Sequence, residues 1–314
     1  MSKKNRRYGR SEREQNARAQ AGSEQPAEDA LESGRGPVPE RGPVPERPAP
    51  KSFNAPLWAG IIVVIAVLAV LGFNMFGSKA QLTVDALEKP VVAALDGGSE
   101  VYPANSKFSF TENAKFGYLP APTLSELGDG TIVAANPKSA PKAMGLEDDL
   151  SSLDRDSFLD QDIKPPRKNT APGEPITWDQ MVDEMSGATV LMPLIESPEV
   201  AAPALKKIAE ADIADSTIVR TDDAEVAKAA SDAEVAVMFT GDPTATSKQS
   251  LSEAGYTMMA VDAADASTWT GSDLDIWVTG VKDEKQLKKL AEAGIFGALS
   301  TNPYSIQPSE VKSN

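Results

Sequence analysis

Short segments rich in β-branched residues alternate with amphipathic segments along residues 90–303 of this 314-residue chain. The alternation restricts the fold, because apolar strands joined through helices predict a parallel sheet with helices on its outer side. Eight candidate strands favour a (β/α)8 TIM-like barrel over a short doubly wound sheet. The strands are predicted at 91–95, 131–135, 189–195, 217–220, 235–240, 257–261, 275–279 and 297–300. Helices are predicted at 178–185, 199–210, 223–230, 246–254 and 283–293.

An apolar run precedes this region. Residues 52–78 contain no charged side chain, and 61–71 consist of Ile, Val, Leu and Ala. Since a helix needs roughly 20 apolar residues to cross a bilayer, the run predicts one transmembrane helix at 55–76. The predicted membrane residues include Trp58, Ile61, Val64, Leu68 and Leu71. The run has no polar stripe, which argues against a buried core helix, whereas cleavage of a leader after Ala80 stays open.

The distribution of charge predicts the orientation of this helix. Residues 1–54 carry eleven Lys and Arg against eight Asp and Glu, a net charge of about +3. Because the whole chain has a net charge of −15, the residues after 54 carry about −18. The positive-inside rule therefore predicts a single-pass cell-membrane protein with a cytoplasmic N-terminus and an extracytoplasmic domain. The acidic domain should repel nucleic acid. We expect a disordered Pro-rich tail at 1–54, a linker at 77–89, the barrel at 90–303 and a C-terminal tail at 304–314.

The chain contains neither cysteine nor histidine. Without cysteine there is no disulfide framework and no thiolate nucleophile. Without histidine, the commonest general base, the imidazole metal ligands and every Ser-His or Cys-His pair are excluded. Composition thus excludes more kinds of chemistry than the sequence motifs suggest.

The C-terminal part of the chain carries a family resemblance. Residues 275–279 (Asp-Ile-Trp-Val-Thr) and 294–303 (Gly-Ile-Phe-Gly-Ala-Leu-Ser-Thr-Asn-Pro) resemble the last strands of glycerophosphodiester phosphodiesterases. Further similar segments occur in order at 92–97, 103–106, 129–133, 175–178 and 194–197. The resemblance implies a phosphodiesterase-like barrel. In that family two histidines act as acid and base around a divalent cation held by carboxylates.

The same resemblance places other residues at the catalytic positions. Leu95 and Asn136 stand where the family has its histidines, Asp96 replaces an arginine, and Ala104 replaces a metal-binding glutamate. The Glu-x-Asp metal pair falls near residues 121–123, which are Ala-Pro-Thr, so only Glu196 remains of the carboxylates. A single carboxylate does not hold Mg²⁺ or Ca²⁺ tightly. We therefore expect no catalytic residue, no metal, no cofactor, and a degenerate pseudoenzyme.

Polar residues at the predicted strand ends are candidates for a ligand site. Asn136, Glu196, Arg220 and Asp262 would face the carboxyl-terminal end of the barrel, with Arg220 as an anion contact. The alternative is that they are ordinary polar residues of a barrel rim. An acidic stretch at 148–162 lacks the spacing of a calcium loop.

These observations predict a non-catalytic, membrane-anchored accessory or scaffold subunit. Its partners would be other membrane or cell-envelope proteins of a larger bacterial complex, such as a respiratory or cell-wall assembly, with the bilayer contacted through one helix. Two alternatives remain. One is a metal-dependent glycerophosphodiester hydrolase whose catalytic residues the comparison does not align, and the other is a sensor that binds a phosphorylated polyol.

Overall fold

A parallel seven-stranded sheet curls through residues 81–168 and 170–307, the part of the chain that the computed structural model describes. Its strands are β1 (Val91–Leu95), β2 (Leu119–Ala121), β5 (Ile218–Thr221), β6 (Ala236–Phe239), β7 (Met258–Asp262), β8 (Asp275–Thr279) and β9 (Gly297–Ser300). Their order in the sheet is β2-β1-β9-β8-β7-β6-β5. Two further strands, β3 (Leu124–Glu126) and β4 (Ile132–Ala134), form an antiparallel pair of their own.

The two edges of the sheet are joined through residues 190–195. On one side Met192 N and Leu194 N donate to the carbonyls of Pro120 and Pro122, at 2.9 and 2.8 Å. On the other side Leu191 and residues 193–195 exchange backbone hydrogen bonds with residues 216–220 at 2.8–3.0 Å. We call this segment, 190–195, the closing segment. With it the curled sheet fits a TIM-like barrel, and this confirms the predicted class of fold at that level.

Side chains on the sheet alternate between two apolar layers. Val91 and Ala93 of β1 face an inner cluster that contains Met192 and Trp277, whereas Val92 faces an outer cluster under the helices. Trp277 stacks on Phe296 with ring centroids 5.3 Å apart. Gly297 permits this packing, because a Cβ there would lie 2.8 Å from the Trp277 ring and 2.5 Å from the Val91 carbonyl.

Amphipathic helices cover the outer side of the sheet. Helix Trp178–Met185 begins with a capping box, in which the Thr177 hydroxyl accepts from Gln180 N while Gln180 accepts from Thr177 N. Trp178 is fully buried and donates from Nε1 to the Ala204 carbonyl. The α-helices of the described residues are Lys107–Lys115, Ala140–Met144, Arg155–Leu159, Trp178–Met185, Pro198–Glu210, Ala224–Asp232, Lys248–Glu253, Ala266–Trp269, Glu284–Glu292 and Pro303–Ile306.

One predicted barrel strand belongs to another element. Within the predicted strand at 131–135, Ile132–Ala134 form β4, which pairs antiparallel with β3 outside the main sheet. The position in the barrel is taken by β2, a three-residue strand with a central proline that carries no β-branched signal. The predicted strand at 189–195 is the closing segment, where isolated bridges replace a regular ladder.

The predicted membrane location is contradicted. Within residues 81–168 and 170–307, no helix combines the length and apolar character needed to cross a bilayer. The predicted transmembrane helix at 55–76, which includes Trp58, Ile61, Val64, Leu68 and Leu71, lies outside the described residues, as does the predicted tail at 1–54.

Candidate functional site

Arg220 lies inside the barrel near the carboxyl end of β5, and only 4% of its surface is exposed. Its Nε donates to the Met192 carbonyl at 2.8 Å. Its Nη2 donates to the carbonyls of Ala121 and Pro122 at 3.1 and 3.0 Å. Among the described residues, nothing accepts a hydrogen bond from Nη1, and no carboxylate lies within 4.0 Å of the guanidinium. The charge is therefore held by backbone carbonyls, with one amino group left over.

Prolines explain why a guanidinium fits at this place. Met192 N donates to the Pro120 carbonyl, so in a regular parallel ladder the amide of residue 122 would donate back to the Met192 carbonyl. Residue 122 is proline and has no amide hydrogen. A buried carbonyl without a partner is costly, and Arg220 Nε supplies the missing donor. The side chain thus completes the hydrogen bonding along the junction of β2 and the closing segment, which we call the seam.

A group of three polar side chains stands at the same end of the barrel. Asp96 follows β1, and its Oδ1 accepts from Asn105 Nδ2 at 3.0 Å and from Thr123 Oγ1 at 2.7 Å. Thr123 N donates to Asn105 Oδ1 at 3.3 Å, which fixes the amide orientation. No donor within the described residues reaches Asp96 Oδ2. One carboxylate oxygen is therefore held, and the other is available to a ligand.

The backbone at this group adopts left-handed conformations. Asp96 and Asn105 have φ values of 49° and 54°, which Asp and Asn tolerate better than most residues. Gly97 follows with φ 73°, and a Cβ there would lie 2.1 Å from Ser109 Oγ. Since only glycine fits at position 97, the sharp turn after β1 is what brings Asp96 back toward Thr123.

Burial and a nearby carboxylate act in opposite directions on Arg220. Loss of hydration disfavours its charged form and lowers the pKa of Arg220 to about 10, while Asp96 acts to raise it. A buried guanidinium with no salt bridge is a strong attractor for an anion. The structure therefore provides one positive group and one free carboxylate oxygen at the carboxyl ends of β1, β2 and β5.

The other predicted site residues fall into two places. Asn136 and Glu196 come together around Lys138, whose backbone N donates to Asn136 Oδ1 at 3.0 Å and whose Nζ lies 3.8 Å from Glu196 Oε1. Lys138 and Glu196 are both well exposed. Asp262 is exposed at the end of β7, where its Oδ1 accepts from Ala264 N at 2.8 Å, and it contacts none of the other predicted site residues.

The sequence prediction missed the group of Asp96, Asn105 and Thr123. The family resemblance treats Asp96 as the replacement of an arginine and places Thr123 in the lost metal pair, while Asn105 matches an asparagine of the family, and none of this predicts the hydrogen bonds among the three. The available signal was an Asp-Gly-Gly turn directly after an apolar strand. Leu95, at the position of a family histidine, packs against the inner apolar cluster instead of reaching a polar partner.

The donors at this site do not fit the divalent cation of the phosphodiesterase family. Within the described residues, no group of three or more Asp, Glu, His or Cys side chains could hold a metal ion. Asp96 Oδ1 already accepts two hydrogen bonds, and Arg220 brings a positive charge to the same end of the barrel. Hard cations need several oxygen ligands, and these residues do not supply them.

Comparison with known proteins gives similarity in structure alone. No protein-family model and no curated protein matches the sequence. A glycerophosphodiester phosphodiesterase from Agrobacterium tumefaciens is 12% identical with a TM-score of 0.60, covering 68% of this chain and 97% of its own. An Oleispira antarctica phosphodiesterase in complex with the product sn-glycerol-3-phosphate is 15% identical with a TM-score of 0.58, covering 70% of this chain and 96% of its own.

A glycerophosphoryl diester phosphodiesterase from Parabacteroides distasonis gives a similar result. It is 13% identical with a TM-score of 0.58, and the match covers 76% of this chain and 92% of that chain. These neighbours contradict the predicted pseudoenzyme that serves as an accessory or scaffold subunit, because all three are phosphodiesterases, one with its product bound. The described part of the chain has the fold of the glycerophosphodiester phosphodiesterases.

Proposed function

We propose that this protein is a glycerophosphodiester hydrolase whose phosphate-binding group is Arg220. The observation that carries the proposal is the buried guanidinium, held by three backbone carbonyls with Nη1 unbonded among the described residues, at the carboxyl ends of the strands. Enzymes with this type of barrel bind their substrates at that end. The structural neighbours, which are phosphodiesterases, support the same substrate class.

Arg220 would bind a phosphoryl oxygen of the diester through Nη1. A guanidinium fixed by carbonyls loses little further conformational freedom on binding. Its attraction to a phosphate is also stronger in the barrel interior, where polarity is low. The bound phosphate would also offset the free-energy cost of burying the unpaired charge of Arg220. The interaction therefore favours a phosphate ester over a neutral polyol.

Asp96 would act as the proton carrier. Its Oδ1 is fixed by Asn105 and Thr123, and Oδ2 is free within the described residues to accept a proton from water. The water oxygen would form a bond to phosphorus as the bond from phosphorus to the alcohol oxygen breaks. Asp96 would then return the proton to the departing alkoxide, leaving a glycerol phosphate and a free alcohol.

The test is hydrolysis of glycerophosphodiesters by the full 314-residue protein, followed as release of sn-glycerol 3-phosphate. We expect Asp96→Asn to lower kcat by about 100-fold or more, the range for loss of a general base. Asp275→Asn is a matched control, because Asp275 begins β8 at the opposite end of the barrel and forms only an exposed pair with Lys89. Absence of turnover in the wild type, or an equal effect of both variants, would refute the proposal.

A further inference from the structure

The positive charge at the carboxyl-terminal end of the barrel comes from a side chain of the protein. Arg220 places a guanidinium between β2, the closing segment and β5, in the region where a family phosphodiesterase is expected to use a cation. We infer that the ligand phosphate binds directly to Arg220, with no divalent cation between protein and phosphate. This inference rests on the proposed function and specifies how its site recognises the substrate.

Electrostatic repulsion disfavours a divalent cation beside Arg220. Arg220 is almost completely buried, and no carboxylate of the described residues lies within 4.0 Å, so Asp96 offsets its charge only from a longer distance. A divalent cation near this guanidinium would meet a like charge in a medium of low polarity, where repulsion is strong. A phosphate anion at the same place would be attracted by the same field.

The hydrogen-bond donors around Asp96 are also arranged unfavourably for a cation. Asp96 is the carboxylate that follows β1, yet Asn105 and Thr123 both point donors at its Oδ1. Asn105 uses its carbonyl oxygen for Thr123 N, so that oxygen is not free for a cation either. In a site built for a hard cation, carboxylate and amide oxygens would face the ion instead.

The geometry of Arg220 suits direct binding of a phosphate oxygen. Its Nε and Nη2 are fixed to Met192, Ala121 and Pro122, and this leaves the two hydrogens of Nη1 for an incoming oxygen. The guanidinium stays charged at neutral pH despite its burial, because its pKa is lowered only to about 10. A lysine could place a charge there, but its single ammonium group could not donate to the three carbonyls and bind a phosphate at the same time.

The experiment measures binding and turnover on the full-length protein under two conditions. Calorimetric titration with sn-glycerol 3-phosphate is performed in EDTA and again with Mg²⁺, Ca²⁺ or Mn²⁺, and hydrolysis of glycerophosphodiesters is measured in the same buffers. We expect the affinity to agree within about twofold in all buffers, since no ion takes part. Arg220→Lys should weaken binding by about tenfold or more, whereas Arg155→Lys, at an exposed arginine, should leave it unchanged.

The binding and turnover results test cation-free phosphate binding and hydrolysis separately. Binding in EDTA that is lost in Arg220→Lys supports the inference even if no turnover occurs, in which case the proposed function alone fails. Turnover and binding that appear only with a divalent cation overturn the inference and leave the hydrolase function intact. If Arg220→Lys does not fold, the wild-type comparison between EDTA and cation still decides. Absence of binding in every buffer overturns the inference, and turnover alone then decides the proposed function.

Discussion

Replacement of Arg220 by Met should change how stability depends on alkaline pH. Burial lowers the pKa of Arg220 from its ordinary value to about 10, with Asp96 opposing the shift. Between these values the folded protein has released a proton that the unfolded chain still binds. Stability then rises with pH, because the unfolded state binds more protons. Below the folded pKa both states are charged, and the cost of burying the charge is present in full, about 3 kcal/mol.

The magnitude follows from the same linkage. From about pH 8.5 to about pH 11, the free energy of unfolding of the wild type should rise relative to Arg220→Met by roughly 1 to 2 kcal/mol. Methionine keeps an apolar stem in the barrel. The three carbonyls that lose a donor shift the variant's stability by an amount that does not depend on pH. The difference between the two proteins therefore isolates the titration of Arg220.

The assay is urea unfolding of both proteins at several pH values, compared as a difference. Tyr256, whose pKa is raised to about 12 by burial, works in the opposite direction, because its folded form keeps a proton that the unfolded chain loses. Tyr256 is present in both proteins, so its contribution cancels. A difference that stays flat, or that falls as pH rises, would show that Arg220 is not a desolvated cation and would remove the basis for phosphate binding.

Two further predictions concern packing and capping. Gly297→Ala should lower the free energy of unfolding by roughly 1 to 3 kcal/mol, because the new Cβ would lie 2.8 Å from the Trp277 ring; thermal unfolding measures this, and an unchanged Tm would contradict the packing described. Thr177→Ala should cost about 1 kcal/mol by removing the acceptor for Gln180 N, while Thr177→Ser should retain most of the stability in the same assay. Equal losses in the two Thr177 variants would show that the hydroxyl does not cap the helix.

Local sequence patterns predicted several elements to the residue. The strands at 91–95, 275–279 and 297–300 and the helix at 178–185 have the predicted bounds, because each is a continuous apolar or amphipathic run with a clear start. β2 was missed, since Leu-Pro-Ala contains no β-branched residue and becomes a strand only through its neighbours. The predicted strand at 131–135 does contain a strand, Ile132–Ala134, but periodicity cannot show which partner a strand has.

The candidate site was harder to predict for a related reason. Arg220 was identified as a polar residue at a strand end, but its hydrogen bonds join residues 28 to 99 positions apart. The bond to the Met192 carbonyl depends on Pro122, which has no amide hydrogen to donate there, whereas the carbonyls of Ala121 and Pro122 also accept from Asp96 N and Leu194 N. Asp96 and Thr123 are likewise 27 positions apart and meet only when the barrel forms. Tertiary contacts of this kind leave no periodic trace in a sequence.

The seam at the closing segment has a consequence for how this chain can change through evolution. Pro122 and Pro193 lack the amide hydrogens that a regular ladder would use there, and a side chain from β5 takes over part of that role. The same side chain, Arg220, carries the positive charge that we propose binds the phosphate. Mutational drift at position 220 would therefore loosen the barrel and weaken recognition together, so the site and its scaffold would have to be inherited as one unit.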